Sequence, residues 1–237
     1  MKFAALHLVS GPDIQAARRL HDCQRLDDED SSHILFHQHG WDPKSSFRFG
    51  DDAVHLPFFL QHIAAAALVV FDGDKMELKV IQASGEGGES QLLLDLNHQL
   101  SKLPENITVF AWNGADQVLP LLSARRALLG VRLPLPDTIR SLAPDYLQTQ
   151  SDSDERQLDY IATLHGLAPS SRPLNVSADQ AGRQLAQQHA NIRAWQLAFL
   201  ATRQQQVSGQ RSLESSRQIE AQIRQQLTQV APPQDNS

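Results

Sequence analysis

The sequence has few of the residues that would place it in a specialised class of protein. Among its 237 residues Cys23 is the only cysteine, so an intramolecular disulfide is impossible. This fits a reducing compartment, and we expect a cytoplasmic protein. The longest apolar run, residues 63–71, is far shorter than the ~18 residues that a membrane-spanning helix needs. We therefore expect no membrane partner.

Positive charge is also scarce. The chain has 21 Lys and Arg residues against 27 Asp and Glu residues, a formal net charge of −6 at pH 7. Proteins that coat nucleic acids are basic overall, so this class is disfavoured, although a local basic groove is still compatible with the composition. Hydrophobic residues make up 41% of the chain and charged residues 20%, which is typical of a globular protein.

Apolar segments predict four strands. The second and third are separated by Asp72-Gly73, a turn in which glycine accepts a positive φ. Apolar and charged residues alternate in the third segment, which is typical of a half-exposed strand. The second and third strands therefore form a predicted hairpin. The four predicted strands are Phe3–Val9, His62–Phe71, Met76–Ala83 and Ile107–Trp112.

Helices are predicted around these strands. Leu93, Leu96 and Leu100 recur at helical spacing, and Gly130 stands where the C-terminal cap of the next helix belongs. Residues 10–57 are rich in Asp, His and Ser and predict a long excursion with one short helix. The predicted helices cover about Ile14–Leu20, residues 89–100, Val118–Leu129, residues 158–164 and a long segment that begins after Ser177.

Beyond residue 205 the composition shifts toward Gln, Ser and Arg. A weak amphipathic stripe remains, formed by Leu213, Ile219, Ile223, Leu227 and Val230. Such sparse apolar content predicts a detached helix that contributes little to the core, followed by a disordered end. We therefore expect one domain over residues 1–205 and a Gln-rich tail over residues 206–237.

Four segments carry recognisable motifs. The most specific is a strand that ends in Trp112-Asn113-Gly114, followed by a helix that contains Leu119-Pro120. The other three segments read LPFFLQHIAAAALVVFDGD, QLDYIATLHGL and QQHANIRAWQLAFLATR. On these motifs, residues 1–205 resemble the predicted 3'–5' exonuclease family related to the exonuclease domain of family-B DNA polymerases.

The resemblance implies an α/β, ribonuclease-H-like fold, in which a three-stranded meander plus parallel strands form a mixed sheet flanked by helices. It also implies phosphodiester hydrolysis at a 3' end by two Mg²⁺ or Mn²⁺ ions that lie ~4 Å apart. Such ions need oxygen ligands. The family supplies four carboxylates: an Asp-x-Glu pair on the first strand, an Asp at the helix after Asn-Gly, and an Asp on the last helix.

This chain has no carboxylate at those four positions. The motifs place His7, Val9, Val118 and Asn191 there, and Gln187 replaces the family's tyrosine. Valine cannot bind a metal, and His or Asn alone binds magnesium poorly. The resemblance therefore implies a degenerate exonuclease without catalysis or a metal cofactor, which binds nucleic-acid 3' ends or a protein partner. His7, on an apolar strand, is expected to be a partly buried, hydrogen-bonded residue rather than a ligand.

Two alternative functions remain open. An active Mg²⁺- or Mn²⁺-dependent exonuclease would need rearranged ligands, for which His7, Asp13 and Asp116 are the candidates. Asp116 is also explained as the cap of the helix that follows it, because Asp is favoured at helix starts. The second alternative is an assembly protein that acts through the C-terminal helix.

The candidate residues for nucleic-acid contact are Trp112, Asn113, Arg125 and Arg126. Each has a simpler interpretation: Trp112 as a core residue, Asn113 as a turn residue, and the arginine pair as part of a solvated helix face rather than a phosphate contact.

Histidines cluster in the segment HILFHQH. His33 and His37 are four residues apart, with His39 and Asp42 nearby, and would share one face of a helix as zinc ligands. The segment has no strong helical signal, however, so the sequence favours a solvated loop.

Overall fold

Our computed structural model of the chain describes residues 2–39, 56–73, 75–82, 88–112, 114–132, 139–142, 155–167, 170 and 180–230. Within them the strands are β1 (Phe3–Pro12), β2 (Gln61–Phe71), β3 (Met76–Gln82), β4 (Thr108–Ala111) and β5 (Ile139–Ser141). The helices are α1 (Ile14–His21), α2 (Asp28–His39), α3 (Gly88–Ser101), α4 (Leu119–Leu129), α5 (Glu155–Leu164), α6 (Gln180–Val207) and α7 (Leu213–Val230). In this described part of the chain, every helix is too short or too polar to span a membrane.

The five strands form one mixed sheet in the order β3-β2-β1-β4-β5. β1 is antiparallel to β2, and β2 is antiparallel to β3. β4 pairs in parallel with both β1 and β5. The prediction of an α/β protein with a mixed sheet and flanking helices is therefore confirmed.

The predicted hairpin between β2 and β3 is present. Asp72 accepts a hydrogen bond from the backbone N–H of Lys75 through its side chain, at 3.0 Å, and its own N–H donates to the carbonyl of Lys75. Gly73 adopts a φ of 115°, which explains the glycine in this turn. The local turn chemistry was sufficient to predict this unit.

β1 is buried on both faces, which is why its sequence is apolar without alternation. Ala5 and Val9 contact the cluster that contains α6, whereas Leu6 and Leu8 belong to the cluster that contains α3 and α4. α6 therefore covers one face of the sheet, and α3 and α4 cover the other. This division decides which residues of β1 can meet residues of α6.

The edge strand β5 was not predicted. It has only three residues, so it offers no periodic pattern, and it is a strand because it pairs with β4. Gly114, the last residue of the Trp112-Asn113-Gly114 motif, lies against it. A Cβ atom on Gly114 would stand 2.7 Å from Cγ2 and 3.0 Å from the carbonyl oxygen of Ile139. Gly114 therefore lets β5 approach the π-helical turn Gly114–Val118 that precedes α4.

The prediction of a solvated loop around His33 is wrong, because α2 is a helix. Asp27 precedes it and accepts a hydrogen bond from the backbone N–H of Asp30 at 2.8 Å. Acidic residues then fill the first turn of α2. Negative charge at a helix N-terminus is stabilising. The charged segment that was predicted to be irregular therefore forms the first turn of α2 instead.

The expectation that the tail contributes little to the core is also wrong. Ile219, Ile223 and Leu227 are buried in the same cluster as α6. Arg203 of α6 donates to the carboxylate of Glu220 on α7 at 2.8 Å. The weak amphipathic stripe of α7 thus packs against α6. The expected domain boundary at residue 205 falls inside α6. The expected disorder of residues 231–237 lies outside the described residues.

Candidate functional site on the buried face of α6

The four positions at which the resemblance implies acids are divided between the two faces of the sheet. His7 and Val9 lie on the face of β1 that α6 covers, and both are buried. Val118 is also buried, but it belongs to the cluster on the α3 and α4 side. Asn191 lies on α6, and its Oδ1 is buried without a hydrogen-bond partner among the described residues. Val9 and Val118 therefore belong to different apolar clusters, on opposite faces of the sheet.

His7 packs against a second histidine that the sequence did not single out. The ring of His189, on α6, meets the ring of His7 edge-to-face with the centroids 5.6 Å apart. His189 Nδ1 lies 2.9 Å from the hydroxyl of Ser170, and all three side chains are buried. The sequence predicted a partly buried His7, and the structure buries it more completely, to 6% exposure.

An ion pair between a buried arginine and a partly exposed aspartate continues this polar cluster. Arg193 is fully buried and donates two parallel hydrogen bonds to the carboxylate of Asp159, at 2.7 and 2.8 Å. The same guanidinium donates to Gln196, and the backbone N–H of Ser170 donates to Asp159 at 3.1 Å. Asp159 is the acid of the QLDYIATLHGL motif. Asp159 therefore links α5 to α6 through its ion pair with Arg193, because a buried arginine needs a partner of opposite charge.

A second ion cluster accounts for Arg125. This residue is buried and donates to Asp13 at 2.9 Å and to Glu89 at 2.8 Å. Burial alone would lower the pKa of Arg125, but hydrogen bonding and Coulomb attraction to Glu89, with a smaller contribution from Asp13, raise it above its ordinary value. The prediction that Arg125 lies on a solvated face is wrong. It joins α4 to the start of α1 and of α3.

Of the three proposed substitute ligands, the two carboxylates differ: Asp13 is bound within the fold, whereas Asp116 is exposed. Asp13 caps α1 through Oδ1, which accepts from the N–H of Ala16 at 2.9 Å, and its Oδ2 binds Arg125. Asp116 is exposed within the π-helical turn. α4 begins after Val118 without a side-chain cap, so the predicted capping role of Asp116 is wrong for that helix.

The other candidates for nucleic-acid contact differ in exposure. Trp112 is 4% exposed and belongs to the α6-side core, as its simpler interpretation predicted, so its ring is not available for stacking on a base. Arg126 is half-buried on α4. Asn113 lies outside the described residues. Arg126 is thus the one candidate among these four that the described part of the chain leaves near the surface.

The residues at the acid positions do not fit a two-metal centre, because the two valines offer no donor atom. Within the described ranges, no three His, Cys, Asp or Glu side chains gather closely enough to hold a metal ion. His33 and His37 do lie one turn apart on α2 and are exposed, whereas Asp42 is outside the described residues. His39, the third histidine of that segment, contacts His21 of α1 instead, with 3.0 Å between the two Nε2 atoms.

Comparison with known proteins gives no family: no protein-family model matches this sequence, and no curated protein matches it significantly.

Proposed function

We propose that this protein is a ribonuclease-H-like module of the exonuclease type that has lost catalysis and acts by binding a protein partner. The observation that carries the proposal is the burial of His7 and Val9, which stand where the resemblance implies the Asp-x-Glu pair. His7 is packed edge-to-face against His189 inside the core, with Val9 buried beside it. A metal-binding carboxylate pair is thereby replaced by internal packing.

The sheet supports the fold part of this proposal. The resemblance implies a three-stranded meander followed by parallel strands. β1, β2 and β3 form such a meander; β4 pairs in parallel with β1, and β5 pairs in parallel with β4. The close approach of β5 to Gly114 also gives a physical reason for the glycine of the Trp-Asn-Gly motif.

The donor set supports the loss of catalysis. Two dications ~4 Å apart repel each other strongly, and only clustered anionic oxygens make this arrangement tolerable. His7, Val9, Val118 and Asn191 bring no negative charge to the four positions. Asp13 does not compensate, because both of its carboxylate oxygens are already bound within the fold.

The disposition of charge favours a protein partner over a nucleic acid. Arg125 and Arg193 are buried and neutralised by carboxylates, so neither is positioned to bind phosphate. Trp112 is buried, and the chain carries a net charge of −6. Assembly through the C-terminal helix is not favoured, since the apolar stripe of α7 is occupied by α6.

A nuclease assay with Mg²⁺ or Mn²⁺ tests the loss of catalysis. We expect no release of nucleotides from single- or double-stranded DNA or RNA. The matched variants are Asp13→Asn and Asp116→Asn. Metal-dependent hydrolysis that either variant abolishes would overturn the proposal and establish a rearranged active site.

Electrophoretic mobility shifts at two salt concentrations test the class of partner. Binding through phosphate contacts weakens steeply as salt rises. We expect no salt-sensitive shift with single- or double-stranded oligonucleotides. A shift at low salt that disappears in Arg126→Ala would assign the module to nucleic acids and contradict the choice of a protein partner.

A further inference from the structure

We propose that His21 and His39 form a two-histidine binding site for a divalent transition-metal ion such as Zn²⁺, Ni²⁺ or Cu²⁺. The two residues are the last residues of α1 and of α2. Their Nε2 atoms lie 3.0 Å apart, with the ring centroids 5.1 Å apart and the ring planes inclined at 43°. Both side chains are partly buried, so the pair is reachable from solvent.

The separation of the two nitrogens suits a shared ion. Zinc binds imidazole nitrogen at 2.0–2.1 Å, so two such ligands are about 2.9 Å apart at a 90° angle and about 3.3 Å apart at the tetrahedral angle. The observed 3.0 Å lies between these values. Metal binding therefore needs little movement of α1 relative to α2.

The protonation balance is also simple. In the metal-free pair, one neutral imidazole donates its Nε2–H to the Nε2 of the other. When an ion binds, that proton moves to Nδ1, and both Nε2 lone pairs then face the metal. The neutral pair thus loses no net proton, which distinguishes it from a thiolate site.

The local electrostatics favour a cation at this place. The C-terminal end of a helix carries a partial negative charge, and both histidines lie in the last turn of their helices. Arg18, which lies one turn before His21, is held by Asp28 at 2.8 Å. Its charge is therefore partly compensated.

The chemistry of the ligands selects the ion. Imidazole nitrogen suits Zn²⁺, Cu²⁺ and Ni²⁺, whereas Mg²⁺ and Mn²⁺ prefer oxygen. Two protein ligands leave the remaining positions to water, so the ion should exchange readily. The bound ion would tie the end of α1 to the end of α2.

Titration calorimetry with Zn²⁺ on untagged protein tests the site, with His21→Gln, His39→Gln and a control double variant, His33→Gln with His37→Gln. We expect one ion per chain in the wild type and no comparable heat with Mg²⁺. Loss of even an indirect partner of a metal ligand lowers affinity about 10- to 100-fold. Each of the single variants should therefore bind at least about tenfold more weakly, and the control should bind normally.

Two results would overturn the site. One is the absence of Zn²⁺ binding by the wild type. The other is binding that survives in both single variants but is lost in the control, which would assign the ion to His33 and His37. A measurement on the wild-type protein does not depend on whether the variants fold. The side-chain ¹⁵N resonances of His21 and His39 should shift on addition of Zn²⁺, and unchanged resonances would equally reject the proposal.

Discussion

Arg125 lies 2.9 Å from Asp13, a residue 112 positions earlier in the chain, and both side chains are buried. The same guanidinium donates to Glu89, and the other oxygen of Asp13 caps α1. Glu89 in turn accepts a hydrogen bond from the backbone N–H of Ile63 at the start of β2. One arginine therefore connects three helices and a strand.

Replacing Arg125→Met should lower the free energy of unfolding by about 3–5 kcal/mol, because it leaves the buried Asp13 and the largely buried Glu89 without a counter-charge. Urea unfolding at pH 7 measures the loss. Arg19→Met is the matched control, since Arg19 is exposed on α1 and surface substitutions usually change stability by less than about 0.5 kcal/mol. Equal stability of the two variants would contradict the structural role of Arg125.

Gly114→Ala should destabilise the protein by about 1–3 kcal/mol, the usual cost of forcing an extra carbon into a packed site. The added Cβ would collide with the side chain and backbone of Ile139 on β5. Differential scanning calorimetry measures the change, and Ala115→Ser at the exposed neighbouring position is the control. An unchanged melting temperature for Gly114→Ala would mean that β5 does not pack against this turn.

Ile223→Ala should cost about 2–5 kcal/mol, because Ile223 is fully buried between α7 and α6 and its truncation leaves a cavity. Leu213→Ala on the same helix is the control, since that side chain is 49% exposed. Guanidinium unfolding compares the two. A loss for Ile223→Ala no larger than that of the control would support the detached helix that the sequence alone predicted.

His165 should make stability fall as the solution is acidified. Burial, together with the charge of Arg203, lowers the pKa of His165 below its ordinary 6.5. Between that lowered value and 6.5 the unfolded chain binds the proton and the folded chain does not, so stability is full above pH 6.5 and decreases as the pH falls through this window. His165→Gln should therefore lose less stability than the wild type between pH 7.5 and pH 5. Identical pH profiles from urea unfolding would contradict this.

Several elements could be predicted because their signals are local. The turn at Asp72 and Gly73 and the alternation of β3 specified the hairpin. The leucine spacing of α3 specified a helix, and Gly130 ends α4 in the left-handed conformation with a φ of 65°. In each case the deciding interactions join residues a few positions apart, so the sequence pattern carries them directly.

Other features depend on contacts between distant residues. β5 is a strand only because β4 pairs with it, and α7 is ordered by the apolar face of α6. The role of Arg125 could not be read from its helix, where it looked like half of a basic pair, because Asp13 and Glu89 come from other elements.

The candidate sites also include features that the sequence predicts and features that only the fold shows. The absence of carboxylates at His7, Val9, Val118 and Asn191, where the resemblance implies acids, is predicted from the motifs alone, because residue identity at a matched position needs no coordinates. The pairing of His7 with His189, and of His21 with His39, needed the fold. A histidine's chemistry depends on which atoms lie within about 3 Å of its ring nitrogens, and the packing of α6 on β1 and of α1 on α2 sets those distances.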